Sequence, residues 1–172
     1  MPQSLVGLAL ETGGVLIKFT QTTVESGGAV HVQEARYPAH SPPAPLHRHP
    51  LQDERFVIME GALKFRVGDV DRVVNAGESI EVPRATFHRA YNPGDVPTLA
   101  IWETRPALRT AEFFAAMGVA SRGRTRPRLV DAAAILSEFR DEFEMAKPHP
   151  FVQRILFGCL APFGRSVLQP QR

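Results

Sequence analysis

The chain has 172 residues, 44% of them hydrophobic, and a formal net charge of +2. This is enough for one compact unit plus an extension with a sizeable core, and with so small a charge the sequence pI near 9.0 is weak evidence for an acidic polymer partner. One cysteine, Cys159, excludes an intrachain disulfide and fits a reducing compartment. The opening MPQSLVGLALETGG has no Lys or Arg ahead of its apolar residues, so no secretory signal is expected and the chain reads as cytoplasmic.

In chain order, residues 4–10 and 15–20 read as two short strands split by the turn signal Thr12-Gly13-Gly14. Residues 29–37 alternate, with Val30, Val32 and Glu34 on one face and His31, Gln33 and Ala35 on the other. His31 and Gln33 are expected to be exposed, pocket lining being the alternative. The proline-rich PAHSPPAPL is an extended loop that delivers LHRHPLQDERFVIMEG. Extended backbone projects His47 and His49 side by side. After a reversal at residues 50–53, Glu54, Phe56 and Ile58 share a strand face, which lets Glu54 swing back toward the two imidazoles. Residues 62–67, 70–74 and 78–82 are further strands punctuated by Gly68-Asp69 and Asn75-Ala76-Gly77. His88 sits in another β-prone run bounded by Pro83 and Pro93. Residues 98–103 form the last strand, with Trp102 on the face of Thr98 and Ala100; a core role is expected for it, stacking on a substrate being the alternative.

Short strands at this spacing suggest a sandwich or closed barrel. Three imidazoles and one carboxylate suit a divalent transition ion, against the alternative of an ordinary polar strand face. Beyond Pro106 the pattern turns helical. Thr110 is expected to cap AEFFAAM with Gly118 past its end, and Asp131 to cap DAAAILSEFRDEFEM, where Ile135, Phe139 and Phe143 recur every fourth residue. The arginines of SRGRTRPR (Arg122, Arg124, Arg126, Arg128) lack interleaved aromatics and read as a solvated linker, an anion or nucleic-acid contact being the alternative. A helix beginning at Pro150 opens the apolar tail 150–168, with Phe151, Ile155 and Cys159 on one stripe and Val152, Leu156 and Leu160 on the next. Interrupted by Gln153, Arg154, Pro162, Gly164 and Arg165, the tail is not a membrane span; it is expected to pack on the barrel or across a dimer, interfacial membrane contact being a minor alternative.

Two spaced motifs resemble those of the cupins. The first is carried by His47, His49, Glu54 and Gly61, with Ser41 where a leading Gly is usual. Gly77, Pro83, His88 and Asn92 carry the second, with Ala85 in place of its inner Gly. The resemblance covers residues 30–104 and implies an all-β fold, a cupin jelly-roll β-barrel over residues 1–106 followed by a helical C-terminal extension over 107–172. It implies one divalent ion per chain (Fe, Mn, Ni, Cu, Co or Zn) on His47, His49, Glu54 and His88. The expected activity is that of a metal-dependent dioxygenase of the quercetin dioxygenase-like kind acting on a small organic molecule, with Glu54 as catalytic base. The alternatives are a non-catalytic metal or small-ligand binding module and a cupin isomerase or epimerase. A homodimer is expected; nucleic acid and membrane partners are not.

Overall fold

The structure is a computed structural model that describes residues 3–124 and 126–164. Thr125 in the arginine run and residues 165–168 of the apolar tail lie outside the described residues. Strands β1 (Ala9–Thr12) and β2 (Val15–Gln21) form a hairpin whose two central glycines, Gly13 and Gly14, both have positive φ, as the tight turn between right-twisted strands demands. A one-turn helix, α1 (Thr23–Ser26), leads into β3 (His31–Tyr37). There follow β4 (His47–Arg48), β5 (Asp53–Glu60), β6 (Ala62–Val67), β7 (Val70–Asn75), β8 (Ser79–Val82), β9 (His88–Tyr91) and β10 (Thr98–Arg105). Helices α2 (Thr110–Ala120) and α3 (Leu129–Glu138), the two-residue strand β11 (Glu144–Met145), α4 (Pro150–Leu160) and a short 3-10 turn (Ala161–Phe163) complete the described chain.

The strands make two sheets, in the orders β1-β2-β3-β10-β5-β8 and β11-β4-β9-β6-β7. All their pairings are antiparallel. The fold is therefore mostly β, and alternate residues face a shared interior. Ile17, Phe19, Phe56, Ile58, Leu63, Phe65 and Val74 fill it and are almost wholly buried. Burying one such side chain contributes roughly 1.5–3 kcal/mol, so this interior is what holds the sheets together.

Several expectations are corrected. His31 and Gln33 are fully buried, not exposed: they alternate inward with Ala35 and Tyr37, and His31 satisfies one nitrogen on Gln33 Oε1 at 3.0 Å. The first strand starts only at Ala9. Helix α2 starts at Thr110, with Arg109 as its cap, and runs through Gly118, where a Cβ would meet the Leu10 side chain at 3.0 Å; close packing, not helix termination, explains this glycine. Asp131 lies within the first turn of α3 rather than at its cap, and the helix stops at Glu138. Phe139 and Phe143 do turn inward, but through a turn closed by Phe143 N donating to Phe139 O (3.0 Å). Their four-residue spacing thus served a turn as well as it would a helix.

The tail helix α4 does begin at Pro150, capped by His149, whose Nδ1 accepts from Phe151 N at 3.3 Å. Among its described side chains Gln153 and Phe157 are buried, whereas Phe151 and Ile155 are 66% and 55% exposed. The Gln153 amide donates to the carbonyls of Met145 and Pro148 at 2.6 Å each, on the same side of the helix as the buried Phe157, and the apolar stripes lie outward. Among the described residues no helix is long and apolar enough to cross a membrane.

Candidate metal centre

Strand β4 carries His47, with His49 just beyond its end, and His47 pairs directly with His88 of β9 in the same sheet. Glu54 reaches the same place from β5 in the facing sheet. All four side chains are nearly inaccessible to solvent. One ring nitrogen from each of His47, His49 and His88 can be chosen so that all three lie within 4.8 Å of one another. The Glu54 carboxylate stands at the edge of this set, with Oε1 3.1 Å from His49 Nε2 and Oε2 2.8 Å from His88 Nε2.

Carbonyl oxygens orient all three rings. His47 Nδ1 donates to Pro45 O at 2.7 Å, His88 Nδ1 to Thr86 O at 3.0 Å and His49 Nδ1 to Glu142 O at 2.5 Å. A carbonyl only accepts, so each Nδ1 carries the proton and each Nε2 turns toward the common centre. This is how metal-binding imidazoles are usually set. His49 Nε2 and Glu54 Oε2 are buried polar atoms without a hydrogen-bond partner. Buried polar atoms are costly to leave unpaired, and an ion accepted by these donors would remove the cost. The donor set therefore fits one divalent ion, whose identity neutral imidazole does not select.

Charge acts differently on each group of the cluster. Burial, followed by the neighbouring imidazoles of His88 and His49, holds His47 well below the ordinary histidine range and so keeps it neutral. In Glu54 burial alone would raise the pKa, but the facing imidazoles of His49 and His88 outweigh it and hold the carboxyl well below the carboxylate range. For His88 burial is likewise overcome, here by Glu54, and the net shift is upward.

Three contributors were not legible in the motifs. Trp102 donates its indole N–H to Glu54 Oε1 at 2.8 Å and stacks on Phe56, its register partner, with centroids 4.9 Å apart. It is half-buried, so the core role expected of it is joined by a bond to the site. Phe143 lies nearly parallel to the His47 ring (4.4 Å, 14°), and Glu142 supplies the carbonyl on His49. Strand alternation puts Trp102 on the inner face, but nothing in residue type marks a backbone carbonyl 93 residues away.

The two motif departures have structural accounts. Ser41 is buried and its Oγ accepts from Asn92 N at 2.8 Å, tying the first motif to the second. Ala85 has φ +60°, the left-handed conformation a glycine would take without strain, and its N–H donates to His49 O at 2.8 Å.

Two antiparallel sheets enclosing a buried three-histidine cluster define the class of small β-barrel proteins with an interior metal-type site. Residues 33–102 match the cupin domain model. The tetracenomycin polyketide synthase protein TcmJ of Streptomyces glaucescens is 30% identical over 67 residues, which are 39% of this chain and 45% of that protein. The chain thus spans less than half the length of this curated relative. An RmlC-like cupin from Shewanella frigidimarina superposes with a TM-score of 0.53 at 19% identity, covering 61% of this chain and 88% of that one. A protein described as a predicted oxalate decarboxylase, from Thermotoga maritima, gives 0.52 at 17% identity over 59% and 92%. At such identities the likeness is one of fold.

Proposed function

We propose that the protein is a mononuclear metal-dependent oxidoreductase, a dioxygenase of the quercetin dioxygenase-like kind acting on a small organic molecule. The observation that carries this reading is the carbonyl-fixed triad, with Nε2 of His47, His49 and His88 turned to one buried point. Bound there, an ion would supply Lewis acidity and electron transfer. Glu54 serves as fourth ligand; its depressed proton affinity suits that role better than the role of base. Trp102 fixes one oxygen of Glu54 and leaves the other toward His88. Phe113, Phe114, Phe143 and Trp102 make the surroundings apolar and aromatic, which favours a planar, weakly polar substrate and excludes bulk water.

The test is metal analysis of purified protein, followed by oxygen uptake against flavonols, diketones and phenols. We expect one ion per chain, loss of about 90% or more of it in His47→Ala and His88→Ala, and turnover of at least one aromatic candidate. Bound metal with no oxygen uptake would favour the binding-module or isomerase readings, and metal-free wild-type protein would end the proposal. We further assign the exposed apolar face of α4 to a second copy of the chain, making a homodimer.

A further inference from the structure

We propose that residues 139–145, which follow the barrel, are a built part of the metal centre: the Glu142 carbonyl positions His49 and the Phe143 ring positions His47. The proposal rests on reading the triad as a metal site. Two of the three ring-orienting carbonyls, Pro45 and Thr86, lie two residues before the histidine they hold, so the barrel strands supply them locally. The third does not come from the barrel. His49 Nδ1 bonds Glu142 O, from the turn between α3 and β11. Remove that carbonyl and Nδ1 has no assigned acceptor, the ring is free to exchange its tautomers, and the Nε2 lone pair is no longer committed to the centre.

Phe143 acts on the other imidazole of the claw. It stacks on His47, meets His49 edge-on at 5.8 Å and stacks in turn on Phe113 (5.2 Å, 22°), so the claw is wedged against the aromatic core. Anchors on both sides hold the segment in place. Strand β11 pairs with β4 itself, Met145 opposite His47 and Glu144 opposite Arg48. Arg48 and Glu144 form an ion pair at 2.7 Å, and Ala146 N donates to Leu46 O at 2.8 Å. On the upstream side Glu142 Oε1 accepts from Arg109 N at 3.2 Å, and Phe139 is buried beneath the Arg109 guanidinium, 4.5 Å from the ring centroid. Contacts from both directions thus fix a carbonyl and a ring against two ligands, which makes Phe143 and the Glu142 backbone positioning groups and not incidental packing.

The test uses the full chain with Co2+ as probe, following visible absorption for affinity and long-range proton–nitrogen spectra of the metal-free histidines for tautomer. Phe143→Ala removes the ring, Ala146→Pro removes the N–H that ties the segment to Leu46, and Phe143→Tyr retains the stack. Circular dichroism checks that each folds, and if one does not, the other decides. Expected are Co2+ affinities about 10- to 100-fold weaker for Phe143→Ala and Ala146→Pro, near-wild-type affinity for Phe143→Tyr, and loss of the single Nδ1–H form of His49 in Ala146→Pro. Wild-type affinity and an unchanged His49 tautomer in folded Phe143→Ala and Ala146→Pro would overturn the proposal. Failure of the wild type to bind Co2+ would instead overturn the metal reading, and the tautomer measurement would still decide whether the segment positions His49.

Discussion

His31 shows how much one polar residue costs when a strand turns it inward. It is fully buried on β3 against the Phe19 ring, with Nε2 on Gln33 Oε1 and Nδ1 without a partner. Burial, partly offset by the Gln33 contact, lowers its pKa, so the folded state keeps the ring neutral while the unfolded chain protonates near the ordinary value of about 6.5. The stability tied to this shift is therefore full above that pH and falls as pH drops toward the folded pKa, at no more than about 1.4 kcal/mol per pH unit. Urea unfolding of wild type and His31→Gln at pH 7.5 and pH 5 should show the wild type losing more. Parallel losses would contradict this reading. Because both proteins keep the His47, His49 and His88 cluster, the comparison isolates His31.

Among the elements, the turn joining β5 to β6 is the most constrained. Gly61 has φ +73°, and a Cβ built there would lie 2.6 Å from Thr98 Oγ1 and 2.9 Å from Pro97 O. Thr98 Oγ1 also accepts from Ala62 N and donates to Ala62 O, so it cannot withdraw freely. Gly61→Ala should cost about 2–4 kcal/mol, left-handed strain plus overpacking, measured as a lower urea midpoint at unchanged slope. The strands were legible because their signals are local: alternation, and Gly or Asn at the turns. Three site positions followed from the same alternation, which set His47 beside His49 and Glu54 on an inward face, and His88 came from a separate β-prone run and the second motif. Helical boundaries were less legible, since Phe139 and Phe143 serve a turn and an aromatic wedge with the spacing a helix would use. Invisible too was the acceptor for His49, because a main-chain oxygen carries no residue identity. Of the tail, the stripes expected to pack on the barrel or across a dimer lie outward on α4, while Gln153 and Phe157 face the protein, and residue type alone did not mark Gln153 as the buried one.

At the scale of the molecule, Phe151, Val152, Ile155 and Leu156 form an exposed apolar surface on α4 that a monomer would leave in water. Sedimentation analysis should find a dimer, and Phe151→Glu with Ile155→Glu should weaken it at least tenfold without altering the circular dichroism. A monomeric wild type would refute the assigned interface. The sheet that carries His47 and His88 has β11 at one border, and this has a consequence for proteolysis and shelf life. Those two residues are all that separates the main-chain amides and carbonyls of β4 from foreign strands. A nick in the turn before Glu144 would therefore do more than loosen the imidazoles: it would bare a ready template for edge-to-edge aggregation, so that clipped preparations should precipitate sooner than intact ones.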